Sequence, residues 1–594
     1  MTVAPQGMSI QTVYRAYRDG ILLVNRQYQR KLVWTVAEKQ RLIDSILRDY
    51  PLPLFLFAEK SPTLPDQPIR WEIIDGMQRL NAVFSFIEHN FKWEEKAFDL
   101  KELPRARQAA EAGLFKPYPD ETERLDAARC ANLLDYQLAV TVFPGESEAR
   151  ITDVFGRINS GGKQLSDQER RQAGVLSPFA ELVRGLAAEI RGDVSRETLL
   201  LSEMPEISIE TSRNPHGYAL KAEDIFWCYQ GVLRTGDLRD SDDEQLIADL
   251  IASLVGETPA EATGEYLDAI YRQGTEAALT VDDNLRSYGR DRLAHEIKIT
   301  FSAVRSVIEA VDSSRFAFRK LVYPKATSNA QKASFFAVFM AFHELMHREN
   351  LQPGDPAKIF ESLNNLTDRI SVGMKHTKAA DRQDNIRTAK GLIRDHFVAG
   401  DVAAFSHGPG LVFDFENSIR RARTENARYE FKQGILRLDD GKKRDDAHLM
   451  AIVETICGIA NIGPDADGFI YIGIADKLAD AERVLALYGV EAVNFDNAQI
   501  VGIDREASHL GLPLDQYMRI ISDYVRNAPL DDPLKTNVLA GMDLISYKGR
   551  SVIRIRVPRQ NAPSFLNGEC YLRIGPTTIK ATGPQIAAIT KQFG

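Results

Sequence analysis

The stretch WEIIDGMQRLNAVFSFIEH, residues 71–89, joins a short apolar run to a segment whose apolar residues recur with helical spacing. Its first four residues predict a strand, and its second half predicts a helix. Asp75 and Gly76 fall at the junction, where free backbone N–H groups and the positive end of the helix dipole favour an anion. A strand that turns directly into a helix indicates an α/β or α+β domain around it.

The sequence on both sides of this junction has the same mixed character. Further strands are predicted at residues 21–24, 54–57 and 136–143. Thr35 with Glu38, and Ser166 with Glu169, have the spacing of capping boxes and predict that helices begin there. Residues 1–175 are therefore expected to form one α/β or α+β domain.

The rest of the chain predicts two further domains. Residues 176–405 are dominated by helical spacing, which favours a helical domain. A stretch of small residues at about 399–410, which includes Gly400, Gly408 and Gly410, favours a linker there. Residues 406–594 return to mixed character. There we expect strands at 428–436, 469–474, 551–557 and 570–574, and helices at 446–460 and 514–527. The predicted fold class is an α+β multidomain protein.

Composition limits the function classes. The chain has 594 residues, 44% of them hydrophobic and 26% charged, which is typical of globular domains. A formal net charge of −9 gives no overall basic field, so any nucleic-acid binding must come from local clusters. The four cysteines are far apart and form no CxxC pair, and no apolar run reaches the roughly 18 residues of a membrane span. We expect a soluble, cytoplasmic protein with reduced thiols and no membrane partner.

The turn at residues 75–79 has the residue types of a phosphate site. Gly76 permits a close backbone approach, Arg79 can place its guanidinium fork on a phosphate, and Gln78 can orient a ribose or a water. The alternative is an ordinary strand-to-helix junction in which Arg79 pairs with Asp75. Short motifs of this kind are weak evidence by themselves, so both interpretations stay open at this point.

Three separated blocks carry a resemblance. They are Tyr28-Gln29-Arg30 with Trp34, then residues 75–79, then residues 155–162 (FGRINSGG) with Leu165. Together they resemble the DGQQR-motif family of ParB/sulfiredoxin-like domains in GmrSD-type modification-dependent restriction proteins, over about residues 8–175. The resemblance implies a sensor domain that binds, and often hydrolyses, a nucleoside triphosphate. It places the following residues at the nucleotide site: Arg30, Asp75, Gly76, Gln78, Arg79 and Asn159. Met77 stands where the family usually has the first Gln.

The helical region contains His343-Glu344-Leu345-Met346-His347, which spells HExxH. On an α-helix this spacing places both imidazoles on one face for Zn²⁺, with the glutamate ready to activate water. A third ligand is needed, and only Glu361 suggests itself. The alternative is a buried aromatic helix with both histidines on its half-exposed face, and on that interpretation we assign no zinc.

A second constellation lies near the start of the last domain. Glu430 and Lys432 are two residues apart on a predicted strand and so share a face, and Asp476 follows the next apolar strand. Glu425 adds a further carboxylate. Carboxylate oxygens suit Mg²⁺ or Mn²⁺, and a nearby lysine can stabilise charge during phosphodiester cleavage. The alternative is a solvated strand edge with alternating charges.

Basic residues cluster around these carboxylates and predict contacts to phosphates. They are Arg420, Arg421, Arg423, Arg428, Lys442, Lys443 and Arg444.

The order of blocks in this region looks like the Schlafen AlbA-like domain, over about residues 420–594. The blocks are EFK (430–432), TICGIAN (455–461), GFIYIGIAD (468–476), IVG (500–502) and YLRIG (571–575). The resemblance implies a nucleic-acid binder, and in Schlafen proteins two glutamates and an aspartate form a metal-dependent RNase site. Carried over, these are Glu425, Glu430 and Asp476, with Lys432 beside them. The Gly-Gly that usually follows the asparagine is replaced by the longer segment 462–468.

These observations lead to two hypotheses of different classes. The first is a bacterial antiphage defence effector, in which an N-terminal nucleotide-binding sensor, with or without NTPase activity, controls a C-terminal nuclease that uses Mg²⁺ or Mn²⁺ on DNA or RNA. The second is a nucleotide-controlled DNA- or RNA-binding regulator without cleavage. A zinc peptidase is a third alternative. The expected partners are nucleic acid and a nucleotide, and the question of a homo-oligomer stays open.

Overall fold

A computed structural model describes residues 4–26, 31–60, 69–144, 166–172, 175, 177–193, 198–204, 206–208, 219–325, 327–373, 378–400, 412–423, 426–464 and 466–593. The chain divides into two compact units. The first comprises Met1–Ile297, Val307–Glu344 and Asp355–His396, and the second comprises Lys298–Ser306, Leu345–Gly354 and Phe397–Gly594. Each unit combines helices and strands, which confirms the α+β multidomain class.

The first unit contains a six-stranded sheet with the strand order β1-β5-β3-β4-β2-β6. The strands are β1 (Gln6–Ser9), β2 (Leu22–Asn25), β3 (Phe55–Lys60), β4 (Arg70–Asp75), β5 (Gln137–Phe143) and β6 (Thr198–Leu200). Strand β2 runs parallel to β4, and β3 runs parallel to β5, whereas the other neighbouring pairs are antiparallel. The predicted strands are therefore present, with their ends shifted by at most three residues.

Helices pack on one face of this sheet. They are α1 (Ile10–Arg18), α2 (Val36–Leu47), α3 (Met77–Ile87), α4 (Pro104–Glu111) and α5 (Ala127–Asp135). The shared core includes Phe57, Ile73 and Phe84, all with side chains almost fully removed from water. Burial of each such side chain contributes about 1.5–3 kcal/mol. Helix α2 begins with the predicted capping box, in which Thr35 and Glu38 bind each other's backbone N–H groups.

The remainder of the first unit is mainly helical, as predicted. The helices are α6 (Asp167–Gln172), α7 (Pro178–Arg191), α8 (Phe226–Tyr229), α9 (Thr235–Arg239), α10 (Asp242–Val255), α11 (Gly264–Tyr271), α12 (Glu276–Tyr288), α13 (Arg290–Val311), α14 (Ala317–Val322), α15 (Lys332–His343), α16 (Pro356–Ser362) and α17 (Ala379–Ile393). Short strands β7 (Glu206–Ser208) and β8 (Ala219–Lys221) pair in parallel. Part of α13, residues 298–306, belongs to the second unit.

The second unit has a four-stranded sheet in the order β11-β12-β17-β16 and a three-stranded sheet in the order β13-β15-β14. The strands are β9 (Leu351–Pro353), β10 (Phe397–Ala399), β11 (Tyr429–Lys432), β12 (Gly468–Ile472), β13 (Ile474–Ala475), β14 (Val493–Phe495), β15 (Ala498–Ile500), β16 (Met542–Tyr547), β17 (Arg550–Val557), β18 (Tyr571–Ile574) and β19 (Thr577–Lys580). Strands β9 and β10 form one antiparallel pair, and β18 and β19 form another. Strand β11 is parallel to β12, with Glu430 opposite Ile470 and Lys432 opposite Ile472.

Helices pack on both faces of the four-stranded sheet. The helices of the second unit within described residues 412–593 are α18 (Val412–Ala422), α19 (Asp446–Ala460), α20 (Leu478–Tyr488), α21 (Asp504–Leu510), α22 (Leu514–Asn527), α23 (Leu534–Ala540) and α24 (Gly583–Gln592). Helices α19 and α22 bury one face of the sheet, which includes Ile470, and α18 packs on the other, which includes Tyr471. Because side chains alternate along a strand, Glu430 and Lys432 belong to the α19 face.

Two predicted strands end earlier than expected. The strand predicted at 428–436 stops at Lys432, and the one predicted at 469–474 is interrupted at Gly473. Gly473 has a φ of 116°, and a Cβ there would lie 3.1 Å from the carbonyl oxygen of Ser551, so the chain turns from one sheet into the other where only glycine fits. The helices predicted at 446–460 and 514–527 occupy those ranges.

Two further features follow from composition. None of the helices in the described ranges is both long and apolar enough to span a membrane. Cys130, Cys228, Cys457 and Cys570 are all buried and carry free thiols.

Candidate functional site

The turn between β4 and α3 is closely packed. Gly76 has a φ of 103°, and a Cβ at this position would lie 2.9 Å from Cε1 of Phe55 and closer still to Cδ1. The Gly76 N–H donates to the Asp75 carboxylate at 2.7 Å. Glycine is therefore required here by the packing of Phe55 and by the backbone angle, whether or not a ligand approaches.

The side chain of Arg79 stabilises this turn through several hydrogen bonds. Its guanidinium donates to the carbonyl oxygens of Pro53 and Leu54, the latter at 3.0 Å, and to Asp75 at 2.8 Å. It also lies over the Phe55 ring, 4.3 Å from the centroid. Burial lowers the pKa of Arg79, while Asp75 acts in the opposite direction. The pairing with Asp75 is the one expected for an ordinary junction, and a contact from Arg79 to phosphate stays a prediction.

Gln78 holds the backbone of a neighbouring segment. Its side-chain oxygen accepts the Val33 N–H at 3.2 Å, and its amide nitrogen donates to the Lys31 carbonyl. These bonds fix residues 31–33 beside the turn. Arg30 and Asn159, which the resemblance assigns to the nucleotide site, lie outside the described residues.

A buried charge network adjoins this segment and was missed by sequence reasoning. Its cations are Arg26, Lys31 and Arg191, and its anions are Asp193, Asp243 and Glu244. The Lys31 ammonium lies 3.1 Å from Asp243, and both side chains are almost fully buried. The sequence signal was the acidic start of α10, where carboxylates also favour the helix dipole.

The HExxH segment differs from the arrangement predicted for it. His343 is 1% exposed, so its expected position on a half-exposed face is wrong, and its Nε2 lies 3.1 Å from Glu296. Helix α15 ends at His343, and a π-helical turn, Glu344–Arg348, follows. His347 contacts Thr300 at 3.1 Å. Across the part of the chain that the structure describes, no group of three or more His, Cys, Asp or Glu side chains is placed to hold a metal ion.

Glu430 lies between two cations. The Lys432 ammonium is 2.7 Å from Glu430 Oε1, as the i, i+2 spacing predicted, and Nη1 of Arg573 is 2.7 Å from Oε2. Both carboxylate oxygens thus accept from positive groups. The Lys432 side chain is 21% exposed, and a contact from it to phosphate stays a prediction.

Asp476 lies at the same end of the sheet as Lys432. Strands β11 and β12 are parallel, the Gly473 N–H donates to the Lys432 carbonyl at 2.7 Å, and Asp476 follows β13 on the exposed surface. Among contacts of the described residues, none joins Asp476 to Glu430. Glu425 lies outside the described residues. The described residues alone do not form a metal site, and the three-carboxylate set stays a prediction.

The predicted basic residues are largely engaged within the chain. Arg423 pairs with Asp496 at 3.1 Å, and Arg420 donates to Asn417 at 3.1 Å. The remaining contacts are Lys442 to the Leu487 carbonyl at 2.8 Å and Arg444 to Asp446 at 2.8 Å; Arg421 and Arg428 also have partners, and Lys443 is exposed. These surface pairs are weak and exchangeable, so they leave phosphate contacts open.

Sequence reasoning also missed the support for the loop after β11. Glu506 is fully buried and accepts the N–H groups of Ile435 and Leu436 at 2.9 and 3.2 Å and the Tyr517 hydroxyl at 2.6 Å. Its carboxylate fixes the direction in which the chain leaves Lys432.

Comparison with known families matches two parts of the chain. Residues 10–176 match the model of the GmrSD restriction endonuclease N-terminal domain, and residues 425–582 match the Schlafen AlbA_2 model. These matches confirm the predicted fusion of two domain types and indicate a nuclease-type defence protein or another nucleic-acid-related protein. No curated protein matched the chain.

Proposed function

We propose that the chain is a bacterial antiphage defence effector, in which an N-terminal nucleotide sensor controls a C-terminal nuclease. The observation that carries the proposal is the presence of the two matched domain types in one chain. The nuclease assignment uses Glu430 and Lys432, which lie two residues apart on one strand and contact each other.

In this proposal Glu425, Glu430 and Asp476 would hold Mg²⁺ or Mn²⁺, which would supply an activated water and neutralise phosphate charge. Lys432 binds the scissile phosphate from the same strand. The basic residues around α18 and the 442–444 loop exchange their surface partners for phosphates of DNA or RNA.

The sensor half of the proposal places a nucleoside triphosphate at the turn after β4. The start of α3 supplies backbone N–H groups for phosphate. The Asp75 carboxylate, which contacts the Gly76 N–H and Arg79, adds negative charge at this turn. Because phosphate is also negative, we expect the nucleotide to bind together with a divalent ion.

The nuclease half is tested with the full-length chain, DNA and RNA substrates, and Mn²⁺ or Mg²⁺. Glu430→Ala should abolish cleavage while nucleic-acid affinity survives, because phosphate contacts come from Arg and Lys. Glu569→Ala is the matched control, since Glu569 also pairs with a lysine, Lys580, in the same unit. Cleavage by Glu430→Ala at the wild-type rate would exclude Glu430 from the nuclease.

The sensor half is tested by calorimetry with nucleoside triphosphates. Asp75→Asn keeps an acceptor for the Gly76 N–H but removes the charge, so it should change the divalent-ion dependence of binding without unfolding the turn. Arg79→Ala should remove most of the affinity, and its melting temperature must be measured in parallel because Arg79 also binds Pro53 and Leu54. Nucleotide affinity equal to wild type in both variants would place the nucleotide elsewhere.

The second candidate function is a nucleotide-controlled nucleic-acid-binding regulator without cleavage. Both oxygens of Glu430 already accept from cations, which favours anion binding over metal binding at this position. Tight binding of nucleic acid with no cleavage under any divalent ion would support this function.

A further inference from the structure

Arg573 is a buried cation that contacts Glu430. It lies on β18, which packs against α19, and its side chain is 1% exposed. A group with so little exposure cannot contact nucleic acid directly. Its positive charge is instead directed to Glu430, 2.7 Å away.

The same guanidinium also binds the backbone that leads into Glu430. Its Nε donates to the Ala427 carbonyl at 3.1 Å, and Nη2 donates to the Tyr429 carbonyl at 2.9 Å. Arg573 therefore fixes both the carboxylate of Glu430 and the path of the three residues before it.

The residues around Arg573 restrict the position of its guanidinium group. Nη1 also donates to Thr578 Oγ1 at 3.1 Å, and this hydroxyl is 3.1 Å from that of Thr455. On the other side, a Cβ at Gly458 would lie 3.3 Å from Arg573 Cγ. A glycine on α19 thus makes room for the side chain that the β18–β19 hairpin supplies.

We propose that Arg573 is a positioning residue for Glu430, and that it sets the orientation of the Glu430 carboxylate and of the chain between Ala427 and Tyr429. The inference rests on the proposed nuclease function. A lysine cannot replace it, because an ammonium group can neutralise Glu430 but cannot reach two backbone carbonyls in a fixed planar arrangement at the same time.

The experiment compares Arg573→Lys with Arg554→Lys in the full-length chain. Arg554 is the matched control, because it is a mostly buried arginine of the same unit that pairs with Asp543. Hydrogen exchange of peptides covering residues 427–432, calorimetry with Mn²⁺, nucleic-acid affinity and cleavage rate are measured for both variants.

Arg573→Lys should speed exchange at residues 427–432 by at least about tenfold. It should weaken Mn²⁺ binding and cleavage by roughly 10–100-fold, the usual effect of removing a group that orients a metal ligand. Nucleic-acid affinity should stay within about twofold of wild type. A purely structural role would instead lower the melting temperature and weaken all functions together, as a damaging Arg554→Lys would.

Exchange and Mn²⁺ affinity equal to those of Arg554→Lys would overturn the inference. If the wild-type chain neither binds Mn²⁺ nor cleaves, the proposed function fails, and exchange at residues 427–432 alone decides the positioning role. Should Arg573→Lys not fold, Thr578→Val removes one acceptor of Nη1 at constant volume and should give the same changes at smaller size; no change in that variant would also count against the inference.

Discussion

Replacing Gly76 with alanine tests two reasons why glycine occupies the turn after β4, the contact with Phe55 and the backbone angle. The new Cβ meets Phe55, which is fully buried, and the backbone angle is one that alanine rarely adopts. A left-handed angle costs about 1–2 kcal/mol, and an overpacked core costs about 1–3 kcal/mol more. We therefore expect Gly76→Ala to lower the free energy of unfolding of the first unit by about 2–5 kcal/mol.

Gly113→Ala is the control for the backbone angle. Gly113 has a φ of 76°, and a Cβ there meets nothing within 4 Å, so this change should cost only about 1–2 kcal/mol. Urea unfolding followed by tryptophan fluorescence is the assay, because all four tryptophans, Trp34, Trp71, Trp93 and Trp227, belong to the first unit. If Gly76→Ala costs no more than Gly113→Ala, Phe55 is not the reason for the glycine, and close approach of a ligand becomes the better explanation.

Three further predictions concern ionisable side chains inside the fold. Burial raises the pKa of Glu416, and Arg305, which pairs with it, lowers that pKa. Because Arg305→Met leaves the buried carboxylate without this partner, it should destabilise the second unit by about 3–5 kcal/mol in calorimetric unfolding. Arg290→Met, at an exposed pair with Glu181, is the control. Burial, and to a smaller extent Lys432, lower the pKa of His448. The stability of the second unit should therefore be full above about pH 6.5 and fall as the pH drops below it, and it should depend less on pH in His448→Gln. Hydrogen exchange measures this stability, and an equal pH dependence in the variant would assign the effect to other groups. His343→Gln with His347→Gln should leave the metal content of the purified chain unchanged, and one zinc per chain lost in this variant would contradict the prediction.

The parts of the fold that sequence predicted are those fixed by neighbouring residues. The capping box at Thr35 and Glu38 and the helices at 446–460 and 514–527 depend on caps, turns and periodicity within a few residues. Strand ends were less accurate. Gly473 interrupts its strand because of contacts with a strand about 80 residues later in the chain, which no local pattern reports.

The candidate site was predictable only in part for the same reason. The i, i+2 spacing correctly brought Glu430 and Lys432 together, but Arg573 is 143 residues away in sequence from Glu430. The environment of His343 was also missed, since the apolar run before it gave no sign of Glu296 on another helix. A charged residue at an inward-facing position of a short strand, as in YLRIG, was the signal available for Arg573.

The division of the chain into units has a consequence for its modularity. The second unit includes residues 298–306 of α13, and Arg305 in that stretch makes a two-bonded contact with Glu416. A cut near residue 405, in the predicted linker that lies outside the described residues, would therefore remove Arg305 and leave the buried Glu416 without this pairing. Truncation or recombination of the chain at a single point cannot transfer this unit intact, because the unit consists of three separate stretches of sequence.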